Sequence, residues 1–324
     1  MTFSRLFVAA LVAAGLSAVD AGAQDYPTRA VTVLVPFAAG GANDIAGRAI
    51  ADHLSKTLGQ SFVVENRPGA GGALGVQGAA RSDPDGYTLV VAPSGPISIL
   101  PTLDPQLGYD AEKDLVAVAT IATADILAVA KADSRFNSMT EVIDDARANP
   151  GAINFGTSGI ATTAHLDMEN LLLMADVKMT HVPFNGDTPA ITAVLGGTVD
   201  FAFVGGASSA ALIASGDLKP LAAGGPARAK ALPELATIEE QASLPGYSAK
   251  TWYVLFTRAG TPDAVIRKLN EAVRGALADP AIVESFESRG LNVVSGSVED
   301  AEKFVADDLA VRRRVIAATG IRRE

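Results

Sequence analysis

Short β-branched runs, each followed by a turn of small residues and then by a stretch of helical periodicity, recur along this chain. Few folds satisfy that alternation. Val31-Thr32-Val33-Leu34-Val35 reads as a strand stopped by Pro36, and a Gly-rich turn, Phe37 to Asp44, leads into apolar positions Ile45, Ala49, Ile50 and Leu54 at helical spacing before Gly59. Phe62-Val63-Val64 is a second strand, Asn66 to Gly72 a loop, and Gly75 to Arg81 a short helix. The turn Asp83-Pro84-Asp85-Gly86 feeds a third strand, Tyr87 to Ala92. Strands separated by helices at this spacing imply βαβ units and a mostly parallel sheet.

The pattern then starts again. Leu127 to Ala130, Ile153 to Phe155, Thr180 to Pro183, Val199 to Val204 and Leu218 to Ala223 read as strands; Met139 to Ala148, Thr163 to Met174 and Pro189 to Leu195 read as helices. Trp252 to Phe256 returns to strand, and Thr261-Pro262 opens an amphipathic helix with Val265, Ile266, Leu269, Val273 and Leu277 inward; proline suits a first helical turn because its missing N–H is an orphan there. Ser297 to Asp300 resembles the N-cap of a last helix reaching about Thr319. Two restarts joined near 122–128 and 247–254, both extended in composition, predict two α/β lobes. Residues 24–124 and 251–324 form a discontinuous first lobe and 125–250 the second; a single doubly wound domain is the alternative.

The first residues belong to neither lobe. Arg5 precedes an apolar run, Leu6 to Leu16, and Ala21-Gly22-Ala23 supplies small residues at a cleavage point before Gln24. The run is shorter than the roughly 20 apolar residues needed to cross a bilayer, so residues 1–23 read as a signal peptide and the protein as exported. The chain has no cysteine, which excludes disulfides, lipid attachment at the cleavage point and thiol chemistry together. A large periplasmic fold fits an exported chain without disulfides. The formal net charge of −10 argues against a nucleic-acid surface. The arginines at 312, 313, 314, 322 and 323 read as a C-terminal helix end set against the macrodipole. Acidic pairs such as Asp144-Asp145, Glu239-Glu240 and Asp307-Asp308 read as solvated helix faces.

Ligands of open α/β sheets bind at the carboxyl ends of strands, so the strand-to-helix turns carry the functional reading. One turn in each expected lobe brings small residues to a helix N-terminus: Gly40-Gly41-Ala42-Asn43-Asp44 behind Phe37, and Gly156-Thr157-Ser158-Gly159 with Thr162 and Thr163. Each offers orphan N–H donors and a partial positive charge, worth about 0.3–1 kcal/mol to a carboxylate. Asp44 reads first as an N-cap, and His165 either as a hydrogen-bonded, half-buried residue or as cleft lining. Phe184 reads equally as core packing or as a ligand's apolar contact, and Asn185, Asp187, Ser208 and Ser94 sit at further turns of this kind. Other chemistry is not supported. Asn66 to Gly75 lacks the Gly-Lys-Ser/Thr of a P-loop, Gly156-Thr157-Ser158-Gly159-Ile160 breaks the nucleophile elbow, and His53, His165 and His181 lack metal-site spacing. No catalytic constellation, metal site or cofactor site follows.

At these residues the chain resembles the receptors of tripartite tricarboxylate transporters, the TctC or Bug family. The resemblance is carried by Val35-Pro36-Phe37 with Gly40-Gly41 and Asn43-Asp44, by Val64 to Gly72, and by Pro84 to Leu89; it continues through Phe155 to Gly159, His165-Leu166, Val182-Pro183-Phe184, Leu195 to Asp200 and Ala259 to Pro262. It implies a two-lobed periplasmic binding protein of the Venus flytrap type, with two crossover segments, closing as a monomer around a di- or tricarboxylate, an aromatic acid or an acidic amino acid. It also implies delivery to an integral-membrane permease, without enzymatic chemistry. An exported sensor signalling to a membrane kinase, or a periplasmic hydrolase or lyase, are the alternatives. The chain departs from the family where Asn43 replaces the usual hydroxyl, where Asn185-Gly186-Asp187 is less basic, and at Ile160 to Thr163; an acidic Asp187 would suit a ligand's ammonium group better than a tricarboxylate.

Overall fold

The computed structural model describes residues 26–37, 39–104, 106–184 and 186–322. The expected leader and its cleavage point lie outside the described residues, as does Asn185. From the N-terminus, β1 (Val31–Val35) is followed by α1 (Ala42–Leu58), β2 (Phe62–Asn66), α2 (Ala73–Ala80) and β3 (Thr88–Pro93). Three short helical turns over 95–114 then lead into β4 (Leu115–Lys131). The middle of the chain is α3 (Met139–Ala148), β5 (Asn154–Thr157), α4 (Thr163–Ala175), β6 (Thr180–Pro183), α5 (Asp187–Leu195), β7 (Phe201–Gly205), α6 (Gly206–Ser215) and β8 (Leu218–Ala223). It closes with β9 (Lys250–Arg258), α7 (Asp263–Leu277), α8 (Pro280–Glu287), β10 (Leu291–Val293) and α9 (Val298–Thr319).

The strands fall into two linked sheets. One runs β2-β1-β3-β9-β4, parallel through β1, β2 and β3 and antiparallel at β9 and β4, with β10 beside β4. The other places β5 between parallel β6 and β7 and adds β4 and β8 antiparallel. β4 serves both: Leu115 to Asp125 pairs with β9, and Ile126 to Lys131 pairs with β7 and β8. One crossover is thus an unbroken strand. At the other, Ala249 N–H donates to Gly224 O at 2.7 Å and Gly224 N–H donates to Ile126 O at 2.8 Å, so three backbone segments are laced side by side. A Cβ at Gly224 would lie 2.9 Å from the Phe203 ring and 3.0 Å from Ile126 O, which is why the lacing needs glycine.

Each sheet carries helices on both faces, and the apolar patterning says why. In α7 the inward stripe Val265, Ile266, Leu269, Val273 and Leu277 packs with Ile50 and Leu54 of α1 against one face of the first sheet. Trp252, Phe256, Leu34 and Val76 fill its other face with Ala301 of α9. Phe155, Phe201 and Phe203 anchor one face of the second sheet, and Ile191, Val194 and Val199 belong to the other. Full burial of such a side chain contributes about 1.5–3 kcal/mol. Pro262 sits at the N-cap of α7, one position before its first helical residue. Ser297 and Asp300 form the expected capping box of α9, which ends at Thr319.

The arginine run of α9 departs from the expectation of a helix end. Arg312 is 2% exposed and pairs with Asp167 of α4, itself 1% exposed, and with Asp308 at 3.1 Å. Arg313 pairs with Glu112, and Arg314 donates to Asn170 Oδ1 at 2.8 Å. Asp308 is likewise an ion-pair partner, not part of a solvated face. Val315 and Ile316 pack on Leu166 of α4 and on Ile99, so α9 touches elements of both sheets. No described helix is long and apolar enough to cross a membrane.

Candidate ligand-binding cleft

Four helices begin around one cavity of about 270 Å³ whose wall draws on both sheets. α1 reaches it at Ala42, α4 at Thr163 and Ala164, α5 at Asp187, and α6 at Gly206, Ala207 and Ser208. The N-caps of α1, α5 and α6 are Gly41, Gly186 and Gly205, and none provides a side-chain cap. Their orphan N–H groups therefore have no side-chain acceptor at the N-cap, and their partial positive charges add. Only α4 is capped, by Thr162, whose hydroxyl accepts from His165 N–H at 3.3 Å. A cavity slightly below the usual 300–1,000 Å³ of ligand pockets suits a small ligand.

The expected residues divide into three groups. Ser158, Thr163, Asp187 and Ser208 lie on the cavity wall. Ser94, fully buried at the end of β3, shares a 2.9 Å hydrogen bond with the Thr163 hydroxyl and so ties one sheet's turn to the other's. The rest support the wall from behind. Asp44 accepts from Gly40 N–H at 2.9 Å, Arg48 Nε at 2.9 Å and Asn66 Nδ2 at 2.8 Å, which braces the turn holding Gly40 and Gly41. Burial alone would raise its carboxyl; the bonds from Arg48, Gly40 and Asn66 outweigh it and hold the group below the ordinary carboxylate range. Asn43 points into the protein and donates to Val91 O at 2.9 Å. The Phe37 ring packs towards Gly72, and Phe184 covers Gly156.

Of the two readings of His165, cleft lining and a hydrogen-bonded buried residue, its position fits the second. His165 is 5% exposed, its Nδ1 accepts from Ala161 N–H at 3.0 Å, and its ring stacks on His181 with centroids 3.9 Å apart. The Thr157 hydroxyl is hydrogen-bonded to His181 Nε2 at 2.7 Å and faces that stack. Both pack against the second sheet, at β5 and β6.

Sequence reasoning passed over the rest of the wall: Asp125, Thr251, Tyr253, Arg289, Gly290 and Leu291. They come from the crossover strands and from the start of β10 with the short stretch before it, where no Gly-rich turn marks a site. Asp125 carries the clearest signal, a lone carboxylate inside the apolar run Ala124-Asp125-Ile126-Leu127. Its carboxyl is raised by burial, against the lowering effect of the Asn292 amide at 2.9 Å and the charge of Lys230. Asp187 Oδ2 accepts from Ser208 Oγ at 2.8 Å and Gly205 N–H at 3.1 Å, fixing the N-terminus of α6 against that of α5. Burial, with the nearby Asp187 charge, pushes the Tyr253 phenol up to about 12, so it remains a neutral donor at the cavity.

The two linked α/β sheets are the architecture that the resemblance implies, and comparison with known proteins agrees on family and fold. The profile of the tripartite tricarboxylate transporter family receptor, TctC, matches residues 46–321. The chain belongs to this family. The receptor is 31% identical to the protein BugT of Bordetella pertussis, over 96% of this chain and 95% of that one. Among solved structures it is 31% identical to Rpa4515 of R. palustris with adipate, at a TM-score of 0.76, covering 92% of this chain and 99% of that one. It is 29% identical to MatC of Rhodopseudomonas palustris with bound malate, at a TM-score of 0.72, covering 90% and 100%. The fold is that of a two-lobed periplasmic binding protein, and the family is one of transporter receptors, not of enzymes.

Proposed function

We propose that this receptor works in the periplasm, captures a small organic acid between its lobes and presents it to an integral-membrane permease. One observation carries the ligand class: four helix N-termini, three without a side-chain cap, start at a single cavity. Such termini favour an anion, each by about 0.3–1 kcal/mol and up to ~2 when sheltered. The related structures holding adipate and malate support the same class. In this reading the lobes are 24–124 with 251–324, and 125–250. The ligand meets Ala42 from the first, and Ser158, Thr163, Asp187 and Ser208 from the second; Ser94, buried behind the wall, holds the Thr163 hydroxyl in place. Phe37, Gly40, Gly41, Asn43, Asp44, Thr157, His165 and Phe184 position those turns.

The mechanism is closure. A ligand that touches both lobes binds the closed form better than the open one, and that difference drives the shift in population. A micromolar ligand supplies about 8 kcal/mol in total. The test is a thermal-shift screen of the mature protein against dicarboxylates, tricarboxylates, aromatic acids and amino acids. A ligand at 100 times its Kd adds about 2.7 kcal/mol of stability. Ala42→Pro then removes one N–H from the α1 terminus. Proline is tolerated at the first helical position, and Gly41 (φ −79°, ψ 169°) already has the extended backbone that precedes a proline. Acid binding should weaken about tenfold with an unchanged melting temperature of the free protein. Stabilisation by no acid would overturn the reading.

A further inference from the structure

Arg289 is the only lysine or arginine on the cavity wall among the described residues, and no acidic side chain pairs with it. Its Nη1 donates to Ser285 O at 2.7 Å and Ser285 Oγ at 2.6 Å. Those bonds fold the guanidinium onto the end of α8 and leave the donors of Nε and Nη2 uncommitted. Both carboxylates of the wall already have donors, Asp125 from Asn292 and Asp187 from Gly205 and Ser208. The wall therefore holds a fixed cation lacking an anion.

The next residue sets where that cation can act. Gly290 takes φ +71°, and a Cβ there would lie 3.3 Å from Ala207 Cβ, so the Arg289-Gly290 corner faces the N-terminus of α6 at van der Waals range. Arg289 thus stands opposite the second lobe's anion-favouring end, on a segment that precedes β10 of the first sheet. We propose that Arg289 determines specificity by receiving the second carboxylate of a dicarboxylic acid whose first carboxylate lies at the helix N-termini. This rests on the acid-binding reading of the cleft and narrows it to diacids. A guanidinium with its fork free makes two parallel bonds to a carboxylate, which a point charge cannot.

The experiment compares acids matched in chain length, succinate with butyrate and adipate with hexanoate, by calorimetric titration of the full mature protein. The native receptor should bind at least one diacid tenfold or more tightly than its monoacid partner. Arg289→Ala should erase that preference, weakening the diacid about 10–100-fold and the monoacid less than twofold. Arg289→Lys should restore part of it, since it keeps the charge without the fork. The side chain is exposed, so the free protein's melting temperature should not move and serves as the folding control. Monoacids bound as tightly as diacids, or Arg289→Ala weakening both alike, would overturn the assignment while leaving the acid-binding reading intact. Binding of no acid at all would overturn both.

Discussion

His181 shows how much one residue's state owes to its neighbours. It lies half-buried, hydrogen-bonded to Thr157 and stacked on His165 with the rings 14° from parallel. Burial, and then the charge His165 would carry, lower its pKa from 6.5 to about 4, partly opposed by Glu169. The folded protein therefore keeps His181 neutral where the unfolded chain would protonate it. Its contribution to stability is complete above about pH 6.5 and is lost as the pH falls towards 4. Urea unfolding at pH 7.5 and pH 5 should show a smaller loss of stability for His181→Gln than for the native protein. An unchanged loss would show that the stack does not govern this titration. At this scale the turns were legible, because Gly, Ser and Thr before a helix have a local meaning. Tyr253 and Arg289 were not, because a tyrosine within an apolar strand and an arginine after a helix look like ordinary core and surface.

At the scale of elements, α9 is tied to the second sheet's helices by charge as well as by packing. Arg312 and Asp167 are both buried, and Asp167 Oδ2, Asp308 Oδ2 and Arg312 Nε have no hydrogen-bond partner. A pair with unspent polar atoms is costly to break and replaceable in kind. Arg312→Met should destabilise the protein by about 3–5 kcal/mol, by stranding the Asp167 charge. Adding Asp167→Leu should recover most of that loss in a denaturant double-mutant cycle. Strict additivity of the two changes would mean that the pair is not coupled. The helix itself was legible down to its capping box, but its partners lie about 145 residues away in the chain and leave no local trace. β4 was legible only in part. The sequence reading stops at Leu127 to Ala130, whereas the strand runs from Leu115 to Lys131. Its earlier half is Ala- and Thr-rich and largely buried on both faces, so the two-residue alternation that betrays a half-exposed strand is missing.

The whole molecule inherits a constraint from β4. Because one strand belongs to both sheets and α9 touches both, neither lobe can lose its packing without exposing part of the other. Scanning calorimetry should give a single endotherm whose van't Hoff and calorimetric enthalpies agree. Two resolved transitions would mean that the lobes unfold independently in spite of the shared strand. The two-lobed plan itself was visible in the restart of the α/β pattern, since a second run of strands needs a second sheet to bury it.

The strand order also fixes a sequence of events as the chain is made. In the first sheet β9 stands between β3 and β4, yet it is made of residues 250–258, after the whole of the second sheet's chain. A chain emerging N-terminus first therefore presents β1, β2 and β3 with an edge that has nothing to pair with, while the segment that fills the gap has yet to be made. The strands of the second sheet follow one another in the chain, from β4 to β8, and meet no such delay. The N-terminal sheet must wait unfinished, with β3 exposed as an open edge, until the last third of the molecule arrives to close it.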